Sequence, residues 1–469
     1  MNDGLKPYPE YREAGLRWLD EVPAHWEVRR CKTVFKCIDA RSETGEEELL
    51  SVSEQDGVTP RSQKKVTMFK AESYIGHKLC WPGDLVINSL WAWKQGLGFS
   101  RHHGLVSTAY GVYRPFPNYS THWRYFDYLL RSRVYVWELR VRSKGVWLSR
   151  LKLTDDDFLS MPIVVPPPHE AEYIARFLEH YNLLTRRYIR AQRRLIELLE
   201  EQRQALIQRA VTRGLDPDAQ LKHSGVEWLG KIPAHWKSVP LKYLACRIQN
   251  GRTPPTSNRS YYEEGSVPWY GPSSIGDAVE IGEPVRLLNS SAFVDGKARR
   301  ISGPALMVVV IGATAGKAAL LRHDGSCNQQ ITSFELQTHS AEPSFVVYQF
   351  KRAESWLKAI ASSATLPIID SVELARAPIA LPPVSEQKAI LLDLEKALQP
   401  VQSAVSRAEL QIDLIREYRT RLIADVVTGK IDVRGVPLPD LQPGDGGDGL
   451  DGWAQLEMFD DLEQKQATA

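Results

Sequence analysis

Residues 15–26 read GLRWLDEVPAHW, and residues 225–236 read GVEWLGKIPAHW. Seven of the twelve positions are identical, at a fixed offset of 210 residues. A match repeated at this distance in a chain of 469 residues indicates two copies of one structural plan. We call these two stretches the first and the second PAHW box.

Two further repeats follow each box in the same order. The proline-rich stretches MPIVVPPPHE (residues 161–170) and APIALPPVSE (residues 377–386) lie 216 residues apart. Residues 196–216 and 412–432 keep that offset and share nine of 21 positions. The regions between each box and its proline-rich stretch do not visibly match, so a repeated scaffold carries two unlike inserts. Pseudo-symmetry of this kind implies no particular ligand by itself.

The segment after each proline-rich stretch has the apolar spacing of a long helix. Apolar-type positions alternate steps of three and four residues, which is the spacing of a heptad seam. In the first copy the series is Ile174, Phe177, Tyr181, Leu184, Tyr188, Ala191, Leu195 and Leu198. In the second copy it is Leu394, Leu398, Val401, Val405, Ala408, Ile412 and Ile415. Residues 170–211, as one helix, would be about 63 Å long at ~1.5 Å per residue.

These two helices are predicted to pair with each other. A helix with one apolar stripe needs a partner, and the other copy supplies one. Because a whole globular region separates them along the chain, the helices can run antiparallel as a coiled coil that holds two globular regions apart. Pro400 lies in the early turns of the second series, where we expect it to kink or delay the helix.

The globular regions have the pattern of a mixed fold. GDLVIN at 83–88 and ALMVVVIG at 305–312 are typical of buried strands, while helical periodicity is confined to about 122–140 and 344–361. The predicted class is α+β, with two pseudo-symmetric globular domains separated by two long antiparallel helices. The predicted segments are a first globular domain (1–165), a helical spacer (166–216), a second globular domain (217–380), a second spacer (381–436) and an acidic tail (437–469).

Charge is unevenly distributed along the chain. Fifty-nine Lys and Arg against 57 Asp and Glu give a formal net charge of +2. Residues 437–469 carry eight acidic side chains and one lysine, so residues 1–436 have a net charge of +9. This excess is a mild indication of a polyanionic partner. The tail is predicted to be a disordered, solvated extension.

The apolar runs, the N-terminus and the cysteines of the sequence indicate the compartment of the protein and the redox state of its thiols. No run approaches the ~18 apolar residues of a membrane span, and the N-terminus lacks the pattern of a signal peptide. The five cysteines form no CxxC pair and have no His cluster at metal spacing, so we expect free, buried thiols in a reducing compartment. We therefore expect a soluble cytoplasmic protein.

Together these motifs resemble the specificity subunit of type I restriction–modification systems. The resemblance rests first on the paired W-L-x-x-[VI]-P-A-H-W boxes and on the paired proline-rich stretches with Glu170 and Glu386. Further similar motifs are GDLVINSLWAW (83–93), IGATAGK (311–317), CNQQITSFE (327–335) and VTGKID (427–432). It covers about residues 8–436. The acidic tail lies outside the family plan, and Pro400 departs from its heptad pattern.

The resemblance implies a DNA-reading role. In this family each of two target-recognition domains reads one half of a bipartite DNA site, and the coiled coil acts as a ruler between the halves. Two methyltransferase subunits and an ATP-dependent translocase–nuclease join the complex. S-adenosylmethionine, ATP and magnesium would belong to those partners, with no cofactor and no metal on this chain. A non-catalytic subunit is therefore expected.

Alternatives from other classes fit the residues less well. GATAGKA at 312–318 lacks one residue of a phosphate-binding loop, and Ala318 stands where a hydroxyl should hold magnesium. No amino-methyltransferase, GxSxG or HExxH motif occurs, which disfavours a DNA-cleaving or DNA-modifying fusion enzyme. A pseudo-dimeric scaffold whose globular ends bind protein remains a competing hypothesis, and a gel shift on duplex DNA distinguishes it.

Candidate DNA-contacting residues are placed in the variable loops rather than in the boxes, because domains that read different half-sites would not share reading residues. We therefore interpret Trp26 and Trp236 as core anchors, with His25 and His235 capping or hydrogen-bonding locally. Side chains able to meet phosphates or base edges form the candidate set. Its members are Trp91, Arg101, Lys144, Trp147, Arg150, Arg252, Thr253, Asn258, Arg259, Lys317, Asn328 and Gln329, with Gln330, Ser362, Ser363 and Thr365 as secondary candidates.

A basic run on the first helix has two open interpretations. Arg186, Arg187, Arg190, Arg193 and Arg194 could contact DNA. Such a run is more often the solvated face of a coiled coil, or a docking face.

Overall fold

A computed structural model describes residues 5–54, 56–63, 73–145, 151–226, 228–362 and 367–438. The chain divides into two compact units. Unit 1 comprises residues 1–192 and 410–469, and unit 2 comprises residues 193–409. Both boundaries fall within the long helices, so each unit holds one PAHW box, the start of one long helix and the end of the other. The five predicted segment boundaries stay a prediction, and the tail beyond residue 438 lies outside the described residues.

The first half of the chain alternates short strands with three short helices before a long one. Its strands are β1 (Tyr11–Leu16), β2 (Leu19–Pro23), β3 (Glu27–Arg30), β4 (Phe35–Cys37), β5 (Leu50–Ser53), β6 (Gly57–Pro60), β7 (Lys78–Cys80), β8 (Leu85–Ile87), β9 (Leu97–Phe99), β10 (Gly104–Val106), β11 (Gly111–Pro115) and β12 (Pro162–Val165). Its helices are α1 (Trp123–Leu130), α2 (Arg133–Arg142), α3 (Asp155–Leu159) and α4 (Pro168–Arg213).

The second half follows the same plan. Its strands are β13 (Leu221–His223), β14 (Lys231–Pro233), β15 (Lys237–Pro240), β16 (Ala245–Asn250), β17 (Val267–Tyr270), β18 (Arg286–Leu288), β19 (Ala305–Val309), β20 (Ala318–Leu321), β21 (Ser326–Cys327), β22 (Ile331–Leu336) and β23 (Pro378–Leu381). Its helices are α5 (Ser291–Val294), α6 (Pro343–Ile360), α7 (Ser371–Arg376) and α8 (Val384–Val427).

Each unit is built on a four-stranded antiparallel sheet of the same design. The strand order is β4-β11-β8-β9 in unit 1 and β16-β22-β19-β20 in unit 2. A two-stranded pair accompanies each sheet, β3 with β12 and β15 with β23. The apolar runs GDLVIN and ALMVVVIG form β8 and β19, and every residue of both strands is buried. The α+β class and its duplication are therefore confirmed.

The helix and cysteine predictions hold with two exceptions. α6 matches the expected 344–361, whereas the expected helix at 122–140 is split into α1 and α2. All five cysteines are free, as expected. Cys31, Cys80 and Cys327 are buried, but Cys37 and Cys246 are exposed, so the expectation of buried thiols is wrong for these two. Burial raises the pKa of Cys80 to about 11, which keeps that thiol protonated.

The two long helices are continuous and antiparallel. In unit 1 the rings of Tyr181 and Tyr418 lie 6.0 Å apart, and the Tyr188 hydroxyl donates to Gln411 Oε1 at 3.0 Å. Residue numbers therefore increase along α4 as the numbers of their contacts on α8 decrease, which means that the two helices run in opposite directions. In unit 2, Val211 near the end of α4 shares a buried cluster with Ile390 near the start of α8. The predicted antiparallel pairing is confirmed.

Pro400 lies inside α8 without delaying it. The helix begins at Val384 and runs through the proline to Val427, so the expected delay is wrong. Proline removes one backbone hydrogen bond and does not by itself end a helix whose seam is buried on both sides of it. Val401 and Val405 directly after the proline are 6% and 5% exposed. Whether the helix kinks there stays a prediction.

The predicted apolar seam of α4 is wrong in its middle. Leu184 and Tyr188 are 47% and 41% exposed, and Leu195 and Leu198 are also exposed. The buried positions of that stretch are the polar Asn182, Thr185 and Arg186, together with the apolar Ile189. The reason is a tertiary contact, since Asn182 Nδ2 donates to the Tyr128 hydroxyl of α1 at 3.1 Å and turns this face inward. The second seam is confirmed at Leu394, Val401, Val405, Ala408 and Ile412, all of which are buried.

Each PAHW box binds a glutamate in the first turn of a long helix. Trp26 Nε1 donates to Glu170 Oε1 at 2.9 Å, and His25 Nε2 donates to Glu170 Oε2 at 2.8 Å. In unit 2 the distances from Trp236 and His235 to Glu386 are 3.0 and 2.8 Å. We call these arrangements the two carboxylate clamps. Trp26 and Trp236 are 1% and 0% exposed, so their role as core anchors is confirmed.

The expectation of local histidine partners is wrong. His25 and Glu170 are 145 residues apart along the chain, and His235 and Glu386 are 151 residues apart. The first clamp is also the more enclosed, because the Tyr8 hydroxyl donates a further short hydrogen bond to Glu170. Burial and this bond to a carboxylate raise the pKa of Tyr8, which remains a neutral donor. The side chain of Glu170 is 0% exposed and that of Glu386 is 27% exposed.

The end of the other long helix reaches each box as well. The Tyr125 hydroxyl donates to Val427 O at 2.9 Å in unit 1, and Gln349 Nε2 donates to Val211 O at 2.5 Å in unit 2. A glycine with φ near +70° follows each of these helix ends, at φ 77° for Gly429 and 71° for Gly214. A Cβ on Gly429 would overlap Pro23 beside Trp26, so the close approach to the box requires glycine.

Replacing Glu170 with alanine should destabilise unit 1 more than Glu386→Ala destabilises unit 2. Glu170→Ala leaves buried donors on Trp26 and Tyr8 without an acceptor, which should cost about 3 kcal/mol of unfolding free energy. Glu386→Ala, at a partly solvated site, should cost about 1 kcal/mol. Urea unfolding followed by circular dichroism measures both. Glu172→Ala, at an exposed position of the same turn, is the matched control and should change stability by less than about 0.5 kcal/mol. Equal small losses for all three variants would contradict a stabilising clamp.

Candidate functional site

One end of each four-stranded sheet gathers loops that enter or leave its strands. In unit 2, Asn250, Val309 and Ile331 lie at the same sheet end, because β16, β22 and β19 pair at these residues. In unit 1, Cys37, Ile87 and Gly111 lie at the equivalent end. The unit 2 loop cluster comprises residues 251–254, 310–317, 327–330 and 367–370. The unit 1 loop cluster comprises residues 38–41, 88–96, 107–110, 144–145 and 151–154.

A repeated backbone hydrogen bond shows that the two clusters are equivalent. The segment before each proline-rich stretch folds back onto the loop that follows the central strand. Leu153 N donates to Ser89 O at 2.9 Å, and Ile369 N donates to Val310 O at 2.8 Å. Leu153 and Ile369 are 216 residues apart, the offset of the sequence repeat. The scaffold that presents the loops is thus duplicated although their sequences are not.

Four of the candidate residues meet in the unit 2 loop cluster. The chain after β16 lies against the chain before β22, with Arg252 N donating to Cys327 O at 2.9 Å. The Thr253 hydroxyl forms a short hydrogen bond with Gln329 Oε1. Asn328 is largely buried and donates to Gln330 Oε1 at 2.9 Å, whereas Gln329 is exposed. Polar side chains from two separate loops therefore form one surface.

The other unit 2 candidates have identifiable local partners. Asn258 Oδ1 accepts from Ser260 N at 3.2 Å, so this amide caps its own turn. Arg259 is exposed in that turn. Arg252 Nη1 donates to Gly296 O at 2.7 Å, which holds the guanidinium beside the cluster. Ser362, a secondary candidate, donates to Ile368 O at 3.2 Å.

Lys317 belongs to a group of cations around Asp277. Lys317 Nζ lies 3.5 Å from Asp277 Oδ1, and Lys351 Nζ donates to the neighbouring Gly276 O at 3.0 Å. Burial lowers the pKa of Lys351 to about 8, with Asp277 opposing that shift and the cations Arg203 and Lys317 adding to it. This edge of unit 2 therefore gains positive charge as the pH falls below about 8.

The unit 1 loop cluster contains an exposed aromatic ring and an exposed lysine. Trp91 is 52% exposed, and Lys94 Nζ lies 5.7 Å from its ring centroid. Lys144 is 75% exposed at its side chain and pairs with Asp157 Oδ1 at 2.7 Å. That hydrogen bond holds the pKa of Asp157 below its usual range. The unit 1 loop cluster thus contains a flat ring, that of Trp91, and a cation, Lys144, which is able to exchange Asp157 for another anionic partner.

Arg101 is not brought into this cluster. It follows β9, whose Phe99 pairs with Leu85 at the far end of the sheet, and its guanidinium lies 5.9 Å from the Trp123 ring centroid. Four further candidates, Trp147, Arg150, Ser363 and Thr365, lie outside the described residues. The structure thus places Trp91 and Lys144 at one end of unit 1 and Arg101 at the other.

The structure adds cluster residues that the sequence argument did not select. Asn250 Oδ1 accepts from the Thr332 hydroxyl at 2.7 Å, and Asn88 Nδ2 donates to the Tyr110 hydroxyl at 3.2 Å. Asn88 stands immediately after the buried strand β8, whereas Asn250 is the last residue of β16, which is mostly exposed. A polar amide directly after an apolar run is the signal that could have identified Asn88, and the sequence of β16 offers no such signal for Asn250.

Two classes of site do not occur in the part of the chain that the structure describes. No group of three or more His, Cys, Asp or Glu side chains is arranged to hold a metal ion there. None of the helices described is both long enough and apolar enough to cross a membrane.

Comparison with known proteins shows which proteins this scaffold is similar to. Residues 233–400 match the profile of the type I restriction modification DNA specificity domain. A putative type I restriction enzyme MjaX specificity subunit from Methanocaldococcus jannaschii is 23% identical over 299 residues. This chain therefore resembles the specificity subunits of type I restriction–modification systems in sequence. The alignment covers 63% of this chain and spans 64% of the length of that relative.

Further relatives and solved structures agree on the fold. The EcoBI specificity subunit from Escherichia coli is 29% identical to this chain over 104 residues, 22% of each chain. The HsdS subunit from Thermoanaerobacter tengcongensis superposes with a TM-score of 0.51 at 17% identity, over 88% of this chain and 97% of its own. A chain from a structural study of type I restriction–modification complex assembly gives 0.63 at 18% identity, over 87% and 99%.

Gly251→Ala should disrupt the unit 2 loop cluster. A Cβ at this position would overlap the carbonyl oxygens of Cys327 and Asn328, so the loop after β16 would have to move away from the loop before β22. We expect a loss of about 1–3 kcal/mol of unfolding free energy, as for other overpacked sites. Gly276→Ala is the matched control, because a Cβ there meets nothing within 4 Å. Urea unfolding and hydrogen exchange of the Arg252 amide measure the effect, and identical behaviour of both variants would contradict the described packing.

Proposed function

We propose that this chain reads a bipartite DNA site, with the unit 1 loop cluster contacting one half and the unit 2 loop cluster contacting the other. The observation that carries the proposal is the contrast between scaffold and loops. The sheets, the clamps and the Leu153 and Ile369 hydrogen bonds are duplicated, while the loops they present differ in sequence. A protein that reads two different half-sites requires this combination.

The chemistry of the loop clusters suits a DNA surface. Arginine, asparagine and glutamine pair with base edges or phosphates, and Arg252, Asn328 and Gln329 lie together in unit 2. In unit 1, Lys144 offers a phosphate contact, and the exposed Trp91 ring can pack on a sugar or wedge at a base step. The net charge of +9 over residues 1–436 favours association with a polyanion.

The long helices would set the gap between half-sites and dock the partner subunits. α4 contains 46 residues, which corresponds to about 69 Å at ~1.5 Å per residue. A helix of this length that keeps one antiparallel partner is a suitable spacer. We propose two methyltransferase subunits and an ATP-dependent translocase–nuclease as partners, with S-adenosylmethionine, ATP and magnesium bound by them. This chain then contributes recognition and no catalytic group.

Exchanging one recognition region should change one half-site only. Residues 30–160 of this chain would be replaced with the equivalent region of a related specificity subunit, and the assembled methyltransferase would be tested by methylome sequencing. Because each loop cluster has its own sheet and clamp, the half-site read by unit 1 should change, and the other half-site and the gap should stay. The reciprocal exchange within residues 240–376 is the matched control. Changes in both half-sites, with folding intact, would rule out modular reading.

Lys144→Ala should weaken DNA binding for every sequence alike. If Lys144 leaves Asp157 for a phosphate, its loss should reduce the slope of log affinity against log salt by about one unit. Titrating the assembled methyltransferase on cognate and single-mismatch duplexes at two salt concentrations measures this. Lys32→Ala is the control, an exposed lysine before β4 and therefore at the far end of the same sheet. An unchanged affinity and slope for Lys144→Ala would exclude this lysine from the interface.

A further inference from the structure

An apolar groove runs between the two long helices of unit 1. Its volume is about 590 Å³. The groove is lined mainly by Tyr181, Leu184 and Tyr188 of α4 and by Leu414, Ile415 and Tyr418 of α8. Leu184 and Leu414 are 47% and 54% exposed, although both line this groove between paired helices. Large apolar side chains concentrated on one exposed surface indicate that something covers it.

The α4 side of the groove is rich in positive charge. Residues 180–194 of α4, HYNLLTRRYIRAQRR, contain five arginines and no carboxylate. On α8, Arg421 and Glu417 both line the groove and form an ion pair with each other. An occupant with apolar side chains and negative charge would therefore match both the apolar lining of the groove and the arginines of α4 beside it.

The C-terminal tail has this composition. Within GLDGWAQLEMFDDLEQ at 449–464, large apolar residues recur every third position, at Trp453, Leu456, Phe459 and Leu462. Acidic residues flank and partly interrupt this series, at Asp451, Glu457, Asp460, Asp461 and Glu463. A purely solvated tail would have no need of four large apolar side chains at regular intervals.

The tail begins close enough to reach the groove. Leu438, the last described residue, packs against the unit 1 core, and Val436 O accepts a hydrogen bond from the Tyr173 hydroxyl of α4. From Tyr173 to Leu184 the helix rises about 17 Å at ~1.5 Å per residue. The fifteen residues 439–453 can span up to ~50 Å at ~3.3 Å each. The chain is therefore long enough for Trp453 to reach the groove.

We propose that residues 449–464 bind in the apolar groove of the same chain, with their apolar side chains on Leu184, Tyr188, Leu414 and Tyr418. Their carboxylates then face the arginines of α4. Since the linker is short, the tail is present at an effective concentration of the order of millimolar, and a few apolar contacts suffice for occupancy. This inference is independent of DNA reading, because it requires only the unit 1 helices and the tail.

A site-specific cross-link in the full-length chain tests the proposal. Phe459 is replaced with the photoreactive p-benzoylphenylalanine, the purified protein is irradiated, and the cross-linked peptides are mapped by mass spectrometry. The expected product is an intramolecular cross-link to α4 near Leu184 or to α8 near Leu414. Leu184→Asp should lower its yield about tenfold, as the loss of one buried leucine contact predicts. Circular dichroism checks that this exposed substitution leaves the fold intact.

Leu392→Asp is the matched control, because Leu392 is an equally exposed leucine of α8 that does not line the groove. Its cross-link yield should equal that of the unsubstituted chain. Cross-links that run as a dimer would identify a second copy as the occupant and overturn the proposal. Cross-links scattered over other surfaces, their absence, or an equal yield in the Leu184→Asp variant would overturn it as well.

Discussion

A carboxylate in the first turn of each long helix, buried at Glu170 and partly exposed at Glu386, is the interaction on which the rest of the structure depends. Glu170 and Glu386 accept hydrogen bonds from the tryptophan and histidine of a PAHW box. A buried indole N–H needs an acceptor, and a carboxylate at a helix start is further stabilised by the unpaired backbone N–H groups there. Each carboxylate clamp therefore holds a PAHW box against the first turn of a long helix and fixes the direction in which that helix starts.

The same boxes also receive the end of the other helix, at Val427 in unit 1 and at Val211 in unit 2. The scaffold is thereby specified by contacts that lie away from the loop clusters. Loop sequences can change without loss of the clamp, the sheet or the helix pair. This separation of stabilising residues from surface loops explains why the two halves keep a common scaffold around unlike inserts.

Much of the fold could be predicted because its signals are local. The all-apolar runs that form β8 and β19, the long helices and the buried Trp26 and Trp236 need only composition and periodicity. The predictions that were wrong concerned features that depend on contacts between residues far apart in the sequence. Heptad spacing shows which residues share a helix face but not which neighbour that face meets, so the inward turn imposed by Tyr128 could not be foreseen. For the same reason, only part of the candidate set lies in the two loop clusters. The sheet end that a loop occupies depends on strand pairing, and Arg101 follows a strand that ends at the opposite end of the sheet.

The polar face of α4 has a consequence for the position of this helix against the core of unit 1. Leucine seams can slip by one heptad at small cost, because every layer offers a similar surface to its partner. Asn182 has its hydrogen bond to Tyr128 at one axial position only, and a slip of seven residues, about 10 Å at ~1.5 Å each, would bury that amide without a partner. Polar residues at this place thus fix α4 at one axial position against α1, although they bury less apolar surface there than leucines would.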